Sequence, residues 1–102
     1  MDRIEKLKSF IAADPGDFFS RHALAMEFIK QGDDPAARSV LENILEENPE
    51  YIGSYYHLGK LLERTGEPEA AESVYERGIE IARKLNDRHA LSELLSAKDL
   101  MD

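Results

Sequence analysis

The feature that constrains this chain most is that it repeats itself. Shifted by 34 positions, residues 18–49 match residues 52–83 at nine of 32 places: Ser20/Ser54, Leu24/Leu58, Gly32/Gly66, Ala36/Ala70, Ala37/Ala71, Ser39/Ser73, Val40/Val74, Glu42/Glu76 and Glu46/Glu80. Average residue frequencies would give about two. The matches gather at small and apolar positions, where a packing repeat has least freedom. A period of about 20–50 residues marks stacked supersecondary units, none of which can bury its apolar face alone.

Each unit reads as two helices. Leu24, Ala25, Phe28 and Ile29 recur at helical spacing from about Phe18 to Gln31, with Asp17 as N-cap and Gly32 as stop. The next helix is expected to open on Asp34 as cap, with Pro35 at its first position. It carries Ala37, Val40, Leu41, Ile44 and Leu45 on one side and stops before Asn48-Pro49. The second unit repeats the plan: Tyr55, Leu58, Gly59 and Leu62, a turn at Thr65-Gly66-Glu67-Pro68, then Ala71, Val74, Tyr75, Gly78, Ile79 and Ala82. Both ends read as half-units. Ile4, Leu7, Phe10 and Ile11 form a helix ending at Asp14-Pro15-Gly16, and Arg88-His89-Ala90-Leu91 repeats Arg21-His22-Ala23-Leu24 at an offset of 67. The expected organisation is a single all-α domain over 1–102: an N-terminal helix over 2–14, repeats over 18–49 and 52–85, and a C-terminal capping helix over 87–101. Lys6, Lys8 and Asp2 make the first helix's outer side polar, as a cap should be. The last helix carries Lys98, Asp99 and Asp102 beside Leu94, Leu100 and Met101, a candidate apolar strip.

Composition narrows the function. Acids outnumber bases 21 to 13 in 102 residues, giving −8 at pH 7. That field repels phosphate backbones, so nucleic acid is excluded as the expected partner. With no cysteine, thiol catalysis and disulfides are ruled out. The start, Met1-Asp2-Arg3-Ile4-Glu5-Lys6, mixes charge signs without an apolar run behind it, unlike a secretory signal. Nor does any stretch approach the roughly 18 apolar residues of a membrane span. The expectation is cytoplasmic, with no membrane contact.

The pattern resembles the tetratricopeptide repeat (TPR), a 34-residue helix–turn–helix unit. Its signature positions fall on Arg21, Leu24, Ala25, Phe28, Ala37, Leu41, Ile44 and Pro49 in the first unit. In the second they fall on Tyr55, Leu58, Gly59, Leu62, Ala71, Tyr75, Gly78 and Arg83. Arg21, Ile44, Leu62 and Arg83 depart from it; Arg83 stands where the family has proline, so the helix there should run on to Leu85. The resemblance is to a small, free-standing bacterial type. It implies antiparallel helix–turn–helix repeats stacked as a short right-handed solenoid with flanking capping helices.

It also implies where a ligand would lie. In this family the first helix of each unit lines a concave face. Carried over, the candidate peptide-binding groove holds Phe19, His22, Met26 and Lys30, then Tyr56, His57, Lys60 and Arg64, then His89, so all three histidines fall on it. With Glu63 and Glu93, which share those faces, its fixed charge is +1 from Lys30, Lys60 and Arg64 against two acids. A non-catalytic adaptor or scaffold binding a protein or peptide, an acidic one by charge, is the expected function. Self-association as a homodimer through the terminal helices is the alternative. The family's carboxylate clamp is absent: its positions hold His22, Met26, His57, Asn86 and Ala90. No phosphate loop, nucleophile elbow or HExxH occurs, so neither enzyme nor cofactor is expected, and His22 and His89 stand too far apart along the repeat to share a metal.

Overall fold

The computed structural model describes residues 2–101. Asp102 lies outside them. Among the described residues there are six helices and no strand: α1 (Arg3–Ala13), α2 (Phe18–Lys30), α3 (Asp34–Glu47), α4 (Gly53–Arg64), α5 (Pro68–Leu85) and α6 (Arg88–Asp99). They form two compact units, Met1–Glu47 and Asn48–Asp102. In the first, α2 packs on both α1 and α3; in the second, α5 packs on both α4 and α6, and α4 also touches α6.

The turns inside the units share one construction. Gly32 and Gly66 adopt φ of 81° and 82°, the left-handed conformation glycine enters without a Cβ penalty. Behind Gly32, the Asp33 N–H donates to Phe28 O at 2.8 Å and the Gly32 N–H to Ile29 O at 3.0 Å. Behind Gly66, Glu67 donates to Leu62 O at 2.8 Å and Gly66 to Glu63 O at 3.2 Å. These are the two closing bonds of a Schellman end. Asn86, at φ 57°, does the same after α5: Asp87 donates to Ala82 O and Asn86 to Arg83 O. The residue after each left-handed position then starts the next helix. Asp33 Oδ1 accepts from the Ala36 N–H at 3.2 Å and Asp87 Oδ1 from Ala90 at 3.0 Å. The cap of α3 is therefore Asp33 rather than Asp34, and Pro35 is the second helical residue. Linkers of three residues before α3 and two before α6 leave no room for a separate stop and start, so Asp33 and Asp87 each do both.

The 18-residue α5 ends at Leu85, as arginine in place of proline at position 83 allows. A second departure, Arg21, is explained by its surroundings. Its guanidinium donates to Pro15 O at 3.2 Å and to both Glu47 oxygens at 3.1 and 2.6 Å, and lies 5.0 Å over the Phe18 ring. Tyr55, 34 residues on, donates its hydroxyl to the carbonyl of Pro49, itself 34 residues after Pro15. Two unlike side chains thus make one repeated hydrogen bond. The Arg21 donors hold the Glu47 carboxyl below the usual glutamate range, and the Ser20 hydroxyl and N–H do the same for Asp17. By linkage, these depressed carboxyls favour the fold above the ordinary carboxylate range and lose that effect as pH falls through their lowered folded values.

The core of the second unit rests on two close approaches. A Cβ on Gly59 of α4 would stand 2.2 Å from Tyr75 Cε1 of α5, and one on Gly78 of α5 would stand 2.7 Å from Tyr55 Cβ of α4. Each helix thus offers a glycine to the other's tyrosine, and both tyrosines are buried. In the first unit the positions of Gly59 and Tyr75 are held by Ala25 and Leu41, a larger and a smaller residue, again buried. Leu94, part of the candidate apolar strip of α6, is core: its Cδ1 lies 3.0 Å from the Gly78 site. Leu95 and Leu100 are the exposed leucines there.

Gly59→Ala should destabilise the chain by about 1–3 kcal/mol, because a buried ring cannot retreat from the added methyl. The better helix propensity of alanine, about 1 kcal/mol, offsets only part of this. Gly53→Ala, which meets nothing within 4 Å, is the control. Thermal melts in which the two variants behave alike would contradict the packing.

Candidate functional site

In α4 the residues pointing away from the Leu58–Gly59–Leu62 stripe are Tyr56, His57, Lys60, Glu63 and Arg64. The structure brings the first four together. The Tyr56 and His57 rings meet edge to face with centroids 5.4 Å apart. Lys60 Nζ lies 5.8 Å from the centre of the Tyr56 ring and 3.9 Å from Glu63 Oε2. Glu63 in turn accepts the hydroxyl proton of Tyr75, whose ring fills the Gly59 recess. The cluster is therefore tied through one carboxylate to the α4–α5 core contact. Burial first, and the Glu63 carboxylate second, push the Tyr75 hydroxyl far above the ordinary tyrosine range, so it remains a donor at all working pH values.

His57 is half-buried, and its desolvation lowers its pKa below the ordinary histidine value; the negative field of Glu93 on α6 opposes this. Glu63 and Glu93 were not among the residues the sequence singled out for binding. Lys60–Glu63 has i,i+3 spacing and was legible. The approach of Glu93 to His57 depends on α6 lying beside α4 and has no local signal.

The remaining candidates are placed as follows. Arg64 is exposed one turn beyond Lys60, and His89 is exposed in the first turn of α6. In the first unit Phe19, His22, Met26 and Lys30 follow one stripe of α2: Phe19 is 77% exposed, Lys30 is exposed, and His22 and Met26 are half-buried. Beside them Glu27 is 3.6 Å from Arg3 of α1. Among the described residues no three His, Asp or Glu side chains gather as a metal site would require, and no helix is long and apolar enough to cross a membrane.

Paired antiparallel helices with small residues at the crossings, repeated at 34 residues, define an all-α protein of helix–turn–helix repeats. The tetratricopeptide repeat profile matches residues 28–96, and the chain belongs to that family. A tetratricopeptide repeat domain protein from Salinibacter ruber, known from a crystal structure, is 42% identical, with a TM-score of 0.80 over 83% of this chain and 94% of that one. A TPR repeat-containing protein of Pseudomonas aeruginosa is 26% identical over 91 residues, covering 89% of this chain and 87% of that protein. The solution structure of a Bordetella parapertussis protein shares the fold at 23% identity, with a TM-score of 0.84 over 99% of this chain and 88% of that one. TPR domains are generally non-catalytic and mediate protein–protein interaction.

Folding leaves His57 with a lower pKa than the unfolded chain, which therefore takes up the proton first. This lowers stability as pH falls below about 6.5. An NMR titration should place the His57 midpoint under 6.5, and Glu93→Gln should move it further down. A midpoint at or above 6.5, or an upward move in the variant, would contradict the assigned environment.

Proposed function

We propose that this protein is a non-catalytic adaptor that binds a protein or peptide segment through the outward faces of its first-type helices: α4 with α6 in the second unit, and α2 in the first. The observation that carries this is the Tyr56–His57–Lys60 cluster. An aromatic edge, a half-buried ring nitrogen and a cation pre-set by Glu63 offer apolar contact and hydrogen bonding with little side-chain freedom left to lose. Tyrosines and cations of this kind are frequent anchors of interfaces. Phe19, with most of its ring in solvent, offers α2 a second apolar anchor.

Lys30, Lys60 and Arg64 support a segment bearing carboxylates as the ligand. The preference is modest, because Glu63 already partners Lys60 and Glu93 adds a second negative charge. His57, held neutral, contributes a hydrogen-bonding ring rather than a charge at pH 7. A cytoplasmic location is part of the same reading.

Partner capture from cell lysate should be compared between wild type and Tyr56→Ala/Lys60→Glu. Neither side chain belongs to the apolar core, so the variant should melt close to wild type. Proteins recovered with wild type should fall by about ten-fold or more, the cost of removing one interface anchor. Equal recovery by both would sink the assignment.

A further inference from the structure

In α4 the stripe Leu58, Gly59, Leu62 is buried, and Tyr75 of the following helix packs on its glycine. The same register in α6, read 33 residues on, is Leu91, Ser92, Leu95. There Leu91 is half-buried, Ser92 is exposed and Leu95 is 38% exposed. The side of α6 on which a second-type helix would pack is thus uncovered. Between it and α5 run two depressions of about 340 and 250 Å³ that share Arg83. Ala82 and Leu91 help to floor the first, and Ile79 and Leu95 the second.

The charge at the head of this groove says what would cover it. Arg21 in the first turn of α2 holds the carboxylate at the end of α3 through two bonds to Glu47. Arg88 is its counterpart in α6, at the offset of 67. Among the described residues Arg88 and the neighbouring Arg83 make no ion pair. Asp87 is occupied in capping Ala90, and Lys98 already pairs with Glu76 of α5 at 3.2 Å. A second-type helix runs antiparallel to its first-type partner, so its C-terminal end would arrive at Arg88.

We propose that the α5–α6 groove binds an amphipathic helix of a protein partner in the second-helix position. Its leucine-class side chains lie on Leu91 and Leu95, and a glutamate in its last turn pairs with Arg88 as Glu47 pairs with Arg21. Ser92, larger than Gly59, admits a leucine such as Leu41 rather than a tyrosine. This surface is separate from the Tyr56 face.

The probe is a peptide of residues 34–47 of this chain, which carries Leu41, Ile44 and Glu47 and a net charge of −3. NMR titration of the full chain should show saturable shifts at Leu91, Ser92 and Leu95. Arg88→Glu should weaken binding about ten-fold, as loss of a charge-assisted pair does, and a Glu47→Arg peptide should restore it on that variant. Leu95→Lys should weaken binding to a similar degree, whereas Tyr56→Ala/Lys60→Glu should bind as wild type does, so the two surfaces fail independently. Absence of saturable binding would overturn the proposal. So would shifts confined to α2, which would mean exchange with α3, or binding indifferent to Arg88 and Leu95. Light scattering that showed a dimer abolished by Leu95→Lys would assign the groove to a second copy and overturn it as well.

Discussion

The reciprocal fit of glycine and tyrosine between α4 and α5 is the contact on which the second unit depends. Gly59 admits the Tyr75 ring, and Gly78 admits the base of Tyr55. Each of the four residues is almost wholly removed from water. Two large aromatic side chains bring a large apolar area to the crossing, and the two glycines let the helix backbones come close enough to use it. The fit also sets the rotation of α4. With Leu58, Gly59 and Leu62 turned inward, Tyr56, His57 and Lys60 are turned out. The hydroxyl of Tyr75 extends the same constraint to the surface by binding Glu63, which stands beside Lys60. Core packing and the placement of the outward cluster are one arrangement.

The first unit reaches the same architecture by other means. Its crossing is built from Ala25 and Leu41, with less volume on one side and more on the other. The Arg21–Glu47 pair and the Arg21 bond to Pro15 replace the tyrosine hydroxyl bond to Pro49. What the two repeats share is therefore a set of spatial requirements rather than residues: complementary volume at the crossing, a donor to the proline carbonyl that precedes α2 and α4, and a left-handed residue at each tight turn. Among the described residues no carboxylate pairs with Arg88 as Glu47 pairs with Arg21, and the corresponding face of α6 is uncovered.

Much of this was legible in the residues, because the period, the glycines in the turns and the small–large alternation are local signals. The extension of α5 through Arg83 followed from the missing proline alone. The remaining features had separate causes. Asp33 rather than Asp34 caps α3 because Gly32 closes α2 through Asp33's own N–H, a geometry that two adjacent aspartates do not distinguish. Helical periodicity alone left open whether Leu94 joins the apolar strip with Leu100 and Met101 or faces inward, and contact with the Gly78 site decides for the core. His57 and Glu93 influence one another only because α6 lies against α4, and no spacing within either helix records that. On the candidate face, the aromatic, cationic and acidic residues could all be named in advance, while the coupling of Glu93 to His57 and of Glu63 to Tyr75 emerged from tertiary packing.

The central claim is that complementary volume at the α4–α5 crossing, rather than either residue alone, holds the second unit together. A double-mutant cycle on Gly59→Ala and Tyr75→Leu tests it directly, because the double variant carries the Ala25/Leu41 pair of the first unit at the same positions. Chemical denaturation should show a favourable coupling of at least about 1 kcal/mol, with leucine at position 75 relieving most of the damage done by alanine at position 59. Additive losses, with no coupling beyond about 0.5 kcal/mol, would contradict the account.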